Sequence, residues 1–575
     1  MQRYVIGRNE LSWSLEPYTL ARELVNEKAV DRVFVSVETE KGQMKWQGFS
    51  PLRLVAPKCK VEPETLADPL AKYTNYRHLV WEGLTNQSVS DIKALLQLCV
   101  TSHPRCQQSR SRVLPTRLLH IRKDGETNLH VQLVTTAEGH TGEYAALSYC
   151  WGGPQPVQLT KSTIERFLQQ PMEKRALPQG LNDAIEVTYS LELEYLWVDA
   201  LCIIQDDQDD KKREISRMGA IYQGSFVTIA AATSSSVHDS FLCSRSTLNT
   251  KYSTCDIPVT LDSEDCCDSG GPSSITVVPT HAHRTNIFPL NKRGWAFQEA
   301  LLPPRLLVFG DLEPFVRCRT LDVLRTSLTC IEYNLSAVQP RRIIDSIANN
   351  QAHESGLNMD TKADNFDFLW REIVEQYTLR KLSLPEDRPF AISGVIDFLS
   401  EKFNDECHFG VWTSCPVVCL LWKTEPLQGR TIIPNIPTWS WMSVTGPVDL
   451  ETIVYFDNSE SVVEWDTDAS HTRLVVTCCV LEAEGVYGLV YGFGPDVLIE
   501  SWPDVLPSSP TSSQQPRFEA VEECAFLVLG CETHGRYLAL IVTKEEGGVY
   551  HRCGLGELNL PDSWRERPKQ QIVLV

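Results

Sequence analysis

The feature that most constrains the fold is an alternation of apolar and amphipathic segments between Tyr144 and Phe309. The runs YAALS, YLWVDALCII, SFVTIAA and RLLVF are apolar enough to be buried strands, and PVQLT suits a shorter one. Between them, LNDAIEVTYSLEL and DDKKREISRMGAIY carry apolar residues at helical spacing. Strands that alternate with helices predict a parallel sheet covered by helices, so we expect the α/β class here.

The rest of the chain is too long to share one core with this segment, because single cores rarely extend beyond about 300 residues. From composition we expect an N-terminal α+β extension over residues 1–110 and the α/β domain over 111–320, with its core at 144–309. A mainly helical region at 321–435 and a β-rich C-terminal region at 436–575 complete the predicted division.

Charge and cysteine content indicate the setting. The formal net charge of -20 argues against nucleic acid or an anionic membrane as the main partner, since both attract basic surfaces. The 19 cysteines lie scattered in apolar segments, and the N-terminus lacks the apolar core of a signal peptide. We therefore expect a reducing, cytoplasmic location and no membrane span.

Two clusters suggest metal ligands. Cys99, His103 and Cys106 have suitable side chains, but the sequence offers no second pair at a typical distance, so buried thiols at a helix end are the preferred interpretation. The acidic run at 206–210 lacks the glycine and glutamate of a calcium loop, and acids before a helix usually cap it. No metal is predicted, and metal-dependent phosphoryl transfer by these aspartates is the third hypothesis for the function.

Two further carboxylates are candidates for chemistry. Asp199 interrupts the predicted strand YLWVDALCII, where a structural ion pair with Arg293 is preferred over a direct catalytic role. Glu214 lies on the edge of the inward helix face and is either a paired boundary residue or a site residue. The SYCWGG turn adds aromatic rings for stacking and glycines that permit close backbone approach.

Three segments together resemble the fungal heterokaryon-incompatibility (HET) domain: YAALSYCWGG, YLWVDALCIIQDDQDDKKREISRMGAIYQGSFVTIAA and RGWAFQEALLPPRLLVFG. Ile204 departs from the asparagine usual in that family. The resemblance implies a flavodoxin/TIR-like parallel sheet, remotely similar to TIR domains that cleave NAD, with YLWVDALCI as the third strand. It implies Glu214 as the catalytic carboxylate, which must then be exposed in a cleft beside the SYCWGG turn.

The resemblance also implies how NAD would be bound: Tyr149 and Trp151 line the nicotinamide side, and Arg293 or Arg305 lies near phosphate. The implied substrate-binding residues are Ser148, Tyr149, Trp151, Gly152, Gln205 and Arg293. The residues expected to be structural are Trp197, Asp199, Trp295, Gln298 and Glu299.

The resemblance to the HET domain implies a function in nonself recognition and regulated cell-death signalling. One hypothesis is cleavage of NAD as substrate, with no required cofactor. The alternative is a non-catalytic module that assembles with copies of itself or with a sensor protein.

Overall fold

The computed structural model describes backbone and side chains for residues 84–103, 106, 113–123, 129–243, 288–310, 314–319, 366–424, 431–450, 461–465, 472–481, 525–531, 536–545, 547–560 and 566–575. Only the backbone is described at 3–6, 9–14, 32–39, 42–43, 52–55, 124, 128, 255–259, 273–279, 324–325, 362–365, 456–457, 482, 498–503, 524 and 532. The chain forms two compact units, the first from residues 1–291 with 302–339 and the second from 292–301 with 340–575.

The described part of the first unit contains two sheets and several helices. Its strands are β1 (Arg3–Ile6), β2 (Asn9–Ser14), β3 (Arg32–Thr39), β4 (Gly42–Gln43), β5 (Leu52–Val55), β6 (Arg117–Asp124), β7 (Asn128–Thr135), β8 (Ala145–Ser148), β9 (Tyr195–Trp197), β10 (Val227–Ala230), β11 (Cys255–Val259), β12 (Ser273–Pro279), β13 (Arg305–Phe309), β14 (Pro314–Cys318) and β15 (Leu324–Arg325). Its helices are α1 (Asn86–Ser102), α2 (Ile164–Gln169), α3 (Gln179–Ser190), α4 (Asp199–Cys202), α5 (Gln208–Ser216) and α6 (Met218–Gly224).

The sheet that organises the first unit has eight strands in the order β15-β14-β13-β10-β8-β9-β6-β7. Its centre is parallel, because β8 pairs in parallel with both β9 and β10, and β10 pairs in parallel with β13. Antiparallel strands flank this centre on both sides. Along the chain the parallel strands follow one another as β8, β9, β10 and β13. The chain first adds β9 on one side of β8 and then adds β10 and β13 on the other side, so the direction of winding reverses between β8 and β10.

Burial explains the parallel centre. Every residue of β8, β10 and β13 is buried, as expected of strands covered on both faces. Two tyrosine hydroxyls attach α6 to the sheet: Tyr144 donates to the carbonyl oxygen of Ile221 at 2.6 Å, and Tyr222 donates to that of Leu147 at 3.0 Å. The predicted α/β class with a parallel sheet is therefore confirmed for this region.

Two local predictions are wrong. PVQLT is not a strand, since the Leu159 N–H donates to the Ala200 carbonyl and the Leu159 carbonyl accepts from the Gln205 N–H, which leaves no ladder. The strand in YLWVDALCII ends at Trp197, and Asp199 begins α4. Aspartate is favoured at the start of a helix because its carboxylate accepts a hydrogen bond from a free N–H of the first turn. Here the Ala200 N–H donates to the Asp199 carboxylate at 2.7 Å.

The second unit combines helices with a β-rich C-terminal part. Its helices are α7 (Ala296–Leu301), α8 (Lys362–Thr378), α9 (Phe390–Phe403) and α10 (Pro416–Leu420). Its strands are β16 (Cys407–His408), β17 (Val411–Trp412), β18 (Trp422–Lys423), β19 (Asp449–Leu450), β20 (Phe456–Asp457), β21 (Val462–Trp465), β22 (Leu474–Glu482), β23 (Leu498–Pro503), β24 (Cys524–Glu532), β25 (Arg536–Lys544), β26 (Val549–Asn559) and β27 (Gln570–Leu574).

An eight-stranded, mostly antiparallel sheet forms from β20 to β27. The predicted sequence of helices followed by a β-rich C-terminus is confirmed, while the boundaries at residues 110, 320 and 435 stay predictions. Among the helices in the described parts of the chain, none combines the length and the apolar character needed to cross a bilayer.

Candidate functional site

The candidate site lies where the adjacent parallel strands β8 and β9 end. The turn Ser148–Gly153 follows β8, and α4 follows β9. Because parallel strands end at the same edge of a sheet, these two segments meet there, and such edges are the usual binding positions in α/β sheets.

Three of the singled-out residues come together at this edge. The Trp151 indole N–H donates to Oδ2 of Asp199 at 2.9 Å, and the Gln205 amide donates to the Asp199 main-chain carbonyl at 3.0 Å. All three side chains are half-buried, so each keeps a face toward solvent. We call Trp151, Asp199 and Gln205 the Trp–Asp–Gln cluster; it contains a carboxylate, an amide and an aromatic ring.

Two other predicted binding residues are buried. Ser148 and Tyr149 lie inside the unit, where the Tyr149 hydroxyl is 3.3 Å from the Gln155 side-chain oxygen. The Gln155 amide in turn donates to the Trp151 carbonyl at 3.1 Å. These contacts fix the shape of the turn, so the Tyr149 ring is packed inside the unit and not presented to a ligand.

Gly152 is exposed and has a φ of +71°, a left-handed conformation that glycine adopts without strain. A Cβ atom there would lie 2.4 Å from the Cβ of Ser236, so the glycine is required for close approach between two backbone segments. The predicted close approach thus occurs, but the partner is this chain's own loop.

That loop, residues 231–242, covers the point where the sheet reverses its winding. The Val237 N–H donates to the Trp151 carbonyl at 3.3 Å, and the Val237 carbonyl accepts from the Gly180 N–H at 2.8 Å. Buried Asp183 holds the far end of the loop by accepting from the Ser240 hydroxyl at 2.7 Å and the Phe241 N–H at 2.9 Å. The opening between β8 and β10 is therefore occupied by protein.

The first three aspartates of the acidic run are outward-facing. Asp207 caps α5 by accepting from the N–H groups of Asp209 and Asp210, as predicted. Asp206 accepts from the Lys161 N–H at 2.8 Å, and the Lys161 ammonium is 3.3 Å from Asp207. Hydrogen bonding from the Asp210 N–H, with a smaller effect of Lys161, lowers the pKa of Asp207 below its ordinary value.

Asp210 belongs to a different environment, a buried charge cluster around Arg117 of β6. The Arg117 guanidinium donates to Asp210 Oδ2 at 2.6 Å and to the Cys202 carbonyl, at the end of α4, also at 2.6 Å. Asp210 Oδ2 further accepts from the Ile204 N–H at 2.8 Å, and Arg213 pairs with its other oxygen. Only 3% of Asp210 is exposed.

Glu214 is the second carboxylate of this cluster and is 1% exposed. Its Oε1 accepts from the Thr116 hydroxyl at 2.9 Å and lies 3.9 Å from Arg117 Nη2 and 3.6 Å from Arg213 Nε. The predicted placement of this carboxylate in an open cleft is wrong. A buried arginine on the neighbouring strand attracts it inward, because a buried guanidinium must be paired.

The remaining singled-out residues lie elsewhere. Trp197 is buried against Tyr222 with a ring separation of 5.6 Å, and buried Arg305 packs over the Phe226 ring, away from solvent. Arg293, Trp295, Gln298 and Glu299 belong to the second unit, where the Trp295 indole donates to Asp387 at 3.2 Å. Gln298 and Glu299 are buried there.

A separate open groove of about 860 Å³ lies at the opposite, amino end of β9. It is lined by Lys93, His120, Ile121, Arg122, Lys123, Tyr189, Ser190, Glu192, Leu193, Glu194 and Tyr195. The His120 ring stacks on Tyr195 at 4.8 Å, and burial together with nearby Arg122 lowers the pKa of His120. The groove's basic residues are partly neutralised, since Lys93 pairs with Glu192 at 2.7 Å.

The aspartates at 206–210 do not form a group of converging metal-ligand atoms. Within the described ranges, one group of side chains has converging metal-ligand atoms, and it consists of Cys99, His103, Cys106 and Cys318. The aspartates of 206–210 are instead engaged by lysine, arginine and backbone N–H groups. Phosphoryl transfer through these aspartates therefore has no geometric support.

Residues 144–299 match the family model described as heterokaryon incompatibility protein (HET). The chain contains a HET domain. No curated protein and no solved structure matches the chain. Within the matched residues of the HET domain lie the Trp–Asp–Gln cluster, Asp210 and Glu214, but Arg117 lies outside them.

Sequence reasoning missed Arg117 and the separate role of Asp210. The available signal was local: a run of four aspartates around one helix start contains more acids than capping requires. The matching basic residue is the arginine at the start of β6, but nothing in the sequence indicates that β6 lies beside β9.

The buried charge cluster predicts a large loss of stability for Arg117→Met. This change removes the buried cation beside two buried carboxylates and leaves only the exposed Arg213 paired with them, so the free energy of unfolding should fall by about 3–5 kcal/mol in urea denaturation. Arg122→Met on the same strand, where the side chain is exposed, should change it by less than about 0.5 kcal/mol. Adding Asp210→Asn and Glu214→Gln to Arg117→Met should recover part of the loss. Equal effects of the two arginine variants would contradict this assignment.

Gly152→Ala and Gly139→Ala separate backbone strain from steric contact. Both glycines have positive φ, +71° and +77°, but a Cβ atom at Gly139 meets no atom within 4 Å. The Gly152 variant should therefore be less stable than the Gly139 variant by a further ~1–3 kcal/mol, as measured by urea denaturation. Matching losses would show that loop 231–242 does not press on the turn.

Proposed function

We propose that this chain acts in nonself recognition and regulated cell death between fungal strains, as its HET domain implies, and that it signals by self-assembly. The observation that carries the mechanism is the burial of Glu214 within the Arg117 charge cluster. Signalling by assembly requires no exposed catalytic carboxylate, and it is consistent with a glutamate that stabilises the fold.

The contacts of Glu214 explain why burial matters. To stabilise positive charge on the ribose of NAD, a carboxylate must contact the ligand directly. The Glu214 carboxylate is instead covered by Thr116, Arg117 and Arg213. Exposing it would separate a buried ion pair, and removing one partner of such a pair typically costs about 3–5 kcal/mol.

Exposed apolar side chains in the second unit support assembly. Leu379, Leu384 and Phe390 are 63%, 59% and 55% exposed, and all three lie in the segment 379–390 between α8 and the first turn of α9. Fully burying one such side chain contributes about 1.5–3 kcal/mol. We take this short segment as the interaction surface, because exposed apolar surface marks protein interaction sites.

Leu384→Ser combined with Phe390→Ser tests the assembly mechanism. Both changes remove exposed apolar surface, so light scattering should show loss of oligomers and expression in a recipient strain should no longer cause cell death. Leu98→Ser is the matched control, because Leu98 is an exposed leucine of the first unit. Assembly that persists in the double variant, or a wild-type protein that kills cells as a monomer, would contradict the proposal.

A second candidate function is NAD cleavage at the Trp–Asp–Gln cluster. It is favoured by the half-buried position of Asp199, whose carboxylate accepts from the Trp151 indole and from the Ala200 N–H. Nicotinamide leaves as a neutral group from a cationic pyridinium, so one carboxylate beside the ribose is sufficient and no general acid is required. In this second proposal the half-buried Trp151 indole stacks on the planar nicotinamide ring.

NAD consumption by oligomerised protein distinguishes these functions. Signalling by assembly alone predicts no loss of NAD with wild type, Asp199→Asn or Glu214→Gln. Cleavage at the cluster predicts NAD loss with wild type and Glu214→Gln, and a loss of about 10²–10³-fold in rate for Asp199→Asn. Activity abolished only by Glu214→Gln in a folded protein would restore Glu214 as the catalytic residue.

A further inference from the structure

The fold adds a fourth metal-ligand residue to the three that are close in sequence. Cys99 lies in the last turn of α1, His103 is the C-cap of that helix, and the Cys106 N–H donates to the His103 carbonyl at 2.9 Å. Cys318 is the last residue of β14, a strand near the edge of the eight-stranded sheet. Helix α1 packs on β14, which brings Cys318 to the other three.

The ligand atoms have the spacing of one tetrahedral ion. One atom from each of the four side chains lies within 4.8 Å of all the others. The Cys318 sulfur is 3.5 Å from Nδ1 of His103. Tetrahedral zinc, with Zn–S about 2.3 Å and Zn–N about 2.0–2.1 Å, places a sulfur and a nitrogen ligand about 3.6 Å apart.

Burial and packing separate this group from ordinary buried thiols. All four residues are buried, and the three cysteines form a core cluster of their own with no aliphatic member among the described residues. A buried cysteine usually acts as a small apolar side chain among other apolar side chains. Here three sulfur atoms and an imidazole point at one another, which is the arrangement of a ligand set.

Buried Arg305 supplies the matching charge. Its Nη1 is 3.8 Å from the Cys99 sulfur, and its Nε donates to the Phe226 carbonyl at 2.9 Å. No carboxylate in the described part of the chain forms an ion pair with this guanidinium. A zinc ion with three thiolates and a neutral imidazole carries a net charge of about −1, which an adjacent arginine neutralises.

We propose that Cys99, His103, Cys106 and Cys318 bind one Zn²⁺ ion in a closed tetrahedral site that joins α1 to β14. On binding, the three thiols lose their protons to solvent, three Zn–S bonds form, and the neutral imidazole supplies the fourth bond. Three thiolates with one imidazole suit zinc better than magnesium, calcium or manganese, which prefer oxygen ligands.

The role of this ion is structural. Four protein ligands leave no open position for water or substrate, so the site does not take part in catalysis. It links His103 and Cys318, which are 215 residues apart, and a metal link across so long a segment stabilises the folded state by restricting the unfolded chain. It is independent of the proposed function.

Metal analysis of the full chain tests the proposal. Protein purified without chelator should contain one zinc per chain by mass spectrometry, and chelation should lower the thermal unfolding temperature. Cobalt added to the chelated protein should produce the absorption of a tetrahedral cobalt–thiolate complex. Metal-free protein that binds neither ion, or in which two of these cysteines form a disulfide, would overturn the proposal.

Matched variants locate the site. Cys318→Ser should reduce zinc from one per chain to near zero and should abolish the effect of chelator on the unfolding temperature. Cys202→Ser, at a buried cysteine of the same unit outside the cluster, should retain one zinc per chain. His103→Cys should also retain the metal, since four thiolates bind zinc. Zinc that remains at one per chain in Cys318→Ser would refute the ligand set.

Discussion

The candidate site of the first unit depends on the contacts of the buried Arg117 guanidinium. It reaches from β6 to the carbonyl at the end of α4 and to Asp210 of α5, with Glu214 close by. These bonds fix the path of the chain after β9, and that path determines which carboxylates face solvent. Asp210 and Glu214 point inward as counter-charges, while Asp199 remains half-exposed at the start of α4.

This arrangement has a consequence for the extent of the HET domain. The family match covers residues 144–299, whereas the sheet also includes β6, β7, β13, β14 and β15 from outside that range. Two buried carboxylates inside the match are neutralised by an arginine outside it. The folded unit is therefore larger than the matched segment, because isolated residues 144–299 would leave those carboxylates buried without their buried cationic partner.

The proposed zinc site also pairs a buried arginine with negative groups, and it lies toward the opposite edge of the eight-stranded sheet from β6. Arg305 of β13 is buried near Cys99, and Arg117 of β6 is buried near Asp210. Asp210 is a carboxylate, and Cys99 becomes a thiolate when zinc binds. In both cases the arginine connects a strand of the sheet to a helix that is far from that strand in the sequence. Assembly through segment 379–390 would leave both connections intact, because it uses residues of the second unit.

The sequence by itself determined the α/β class, the buried strands β8, β10 and β13 and the capping of the next helix by the acidic run, because apolar periodicity and helix capping depend on neighbouring residues. It also indicated the HET domain from three separated segments. Only the tertiary structure decided that Asp199 begins a helix, that Glu214 is buried, and that Cys318 joins Cys99, His103 and Cys106. These outcomes depend on which strands become neighbours, so contacts across about 100 to 200 residues, such as Thr116 with Glu214 and His103 with Cys318, leave no periodic signal in the sequence.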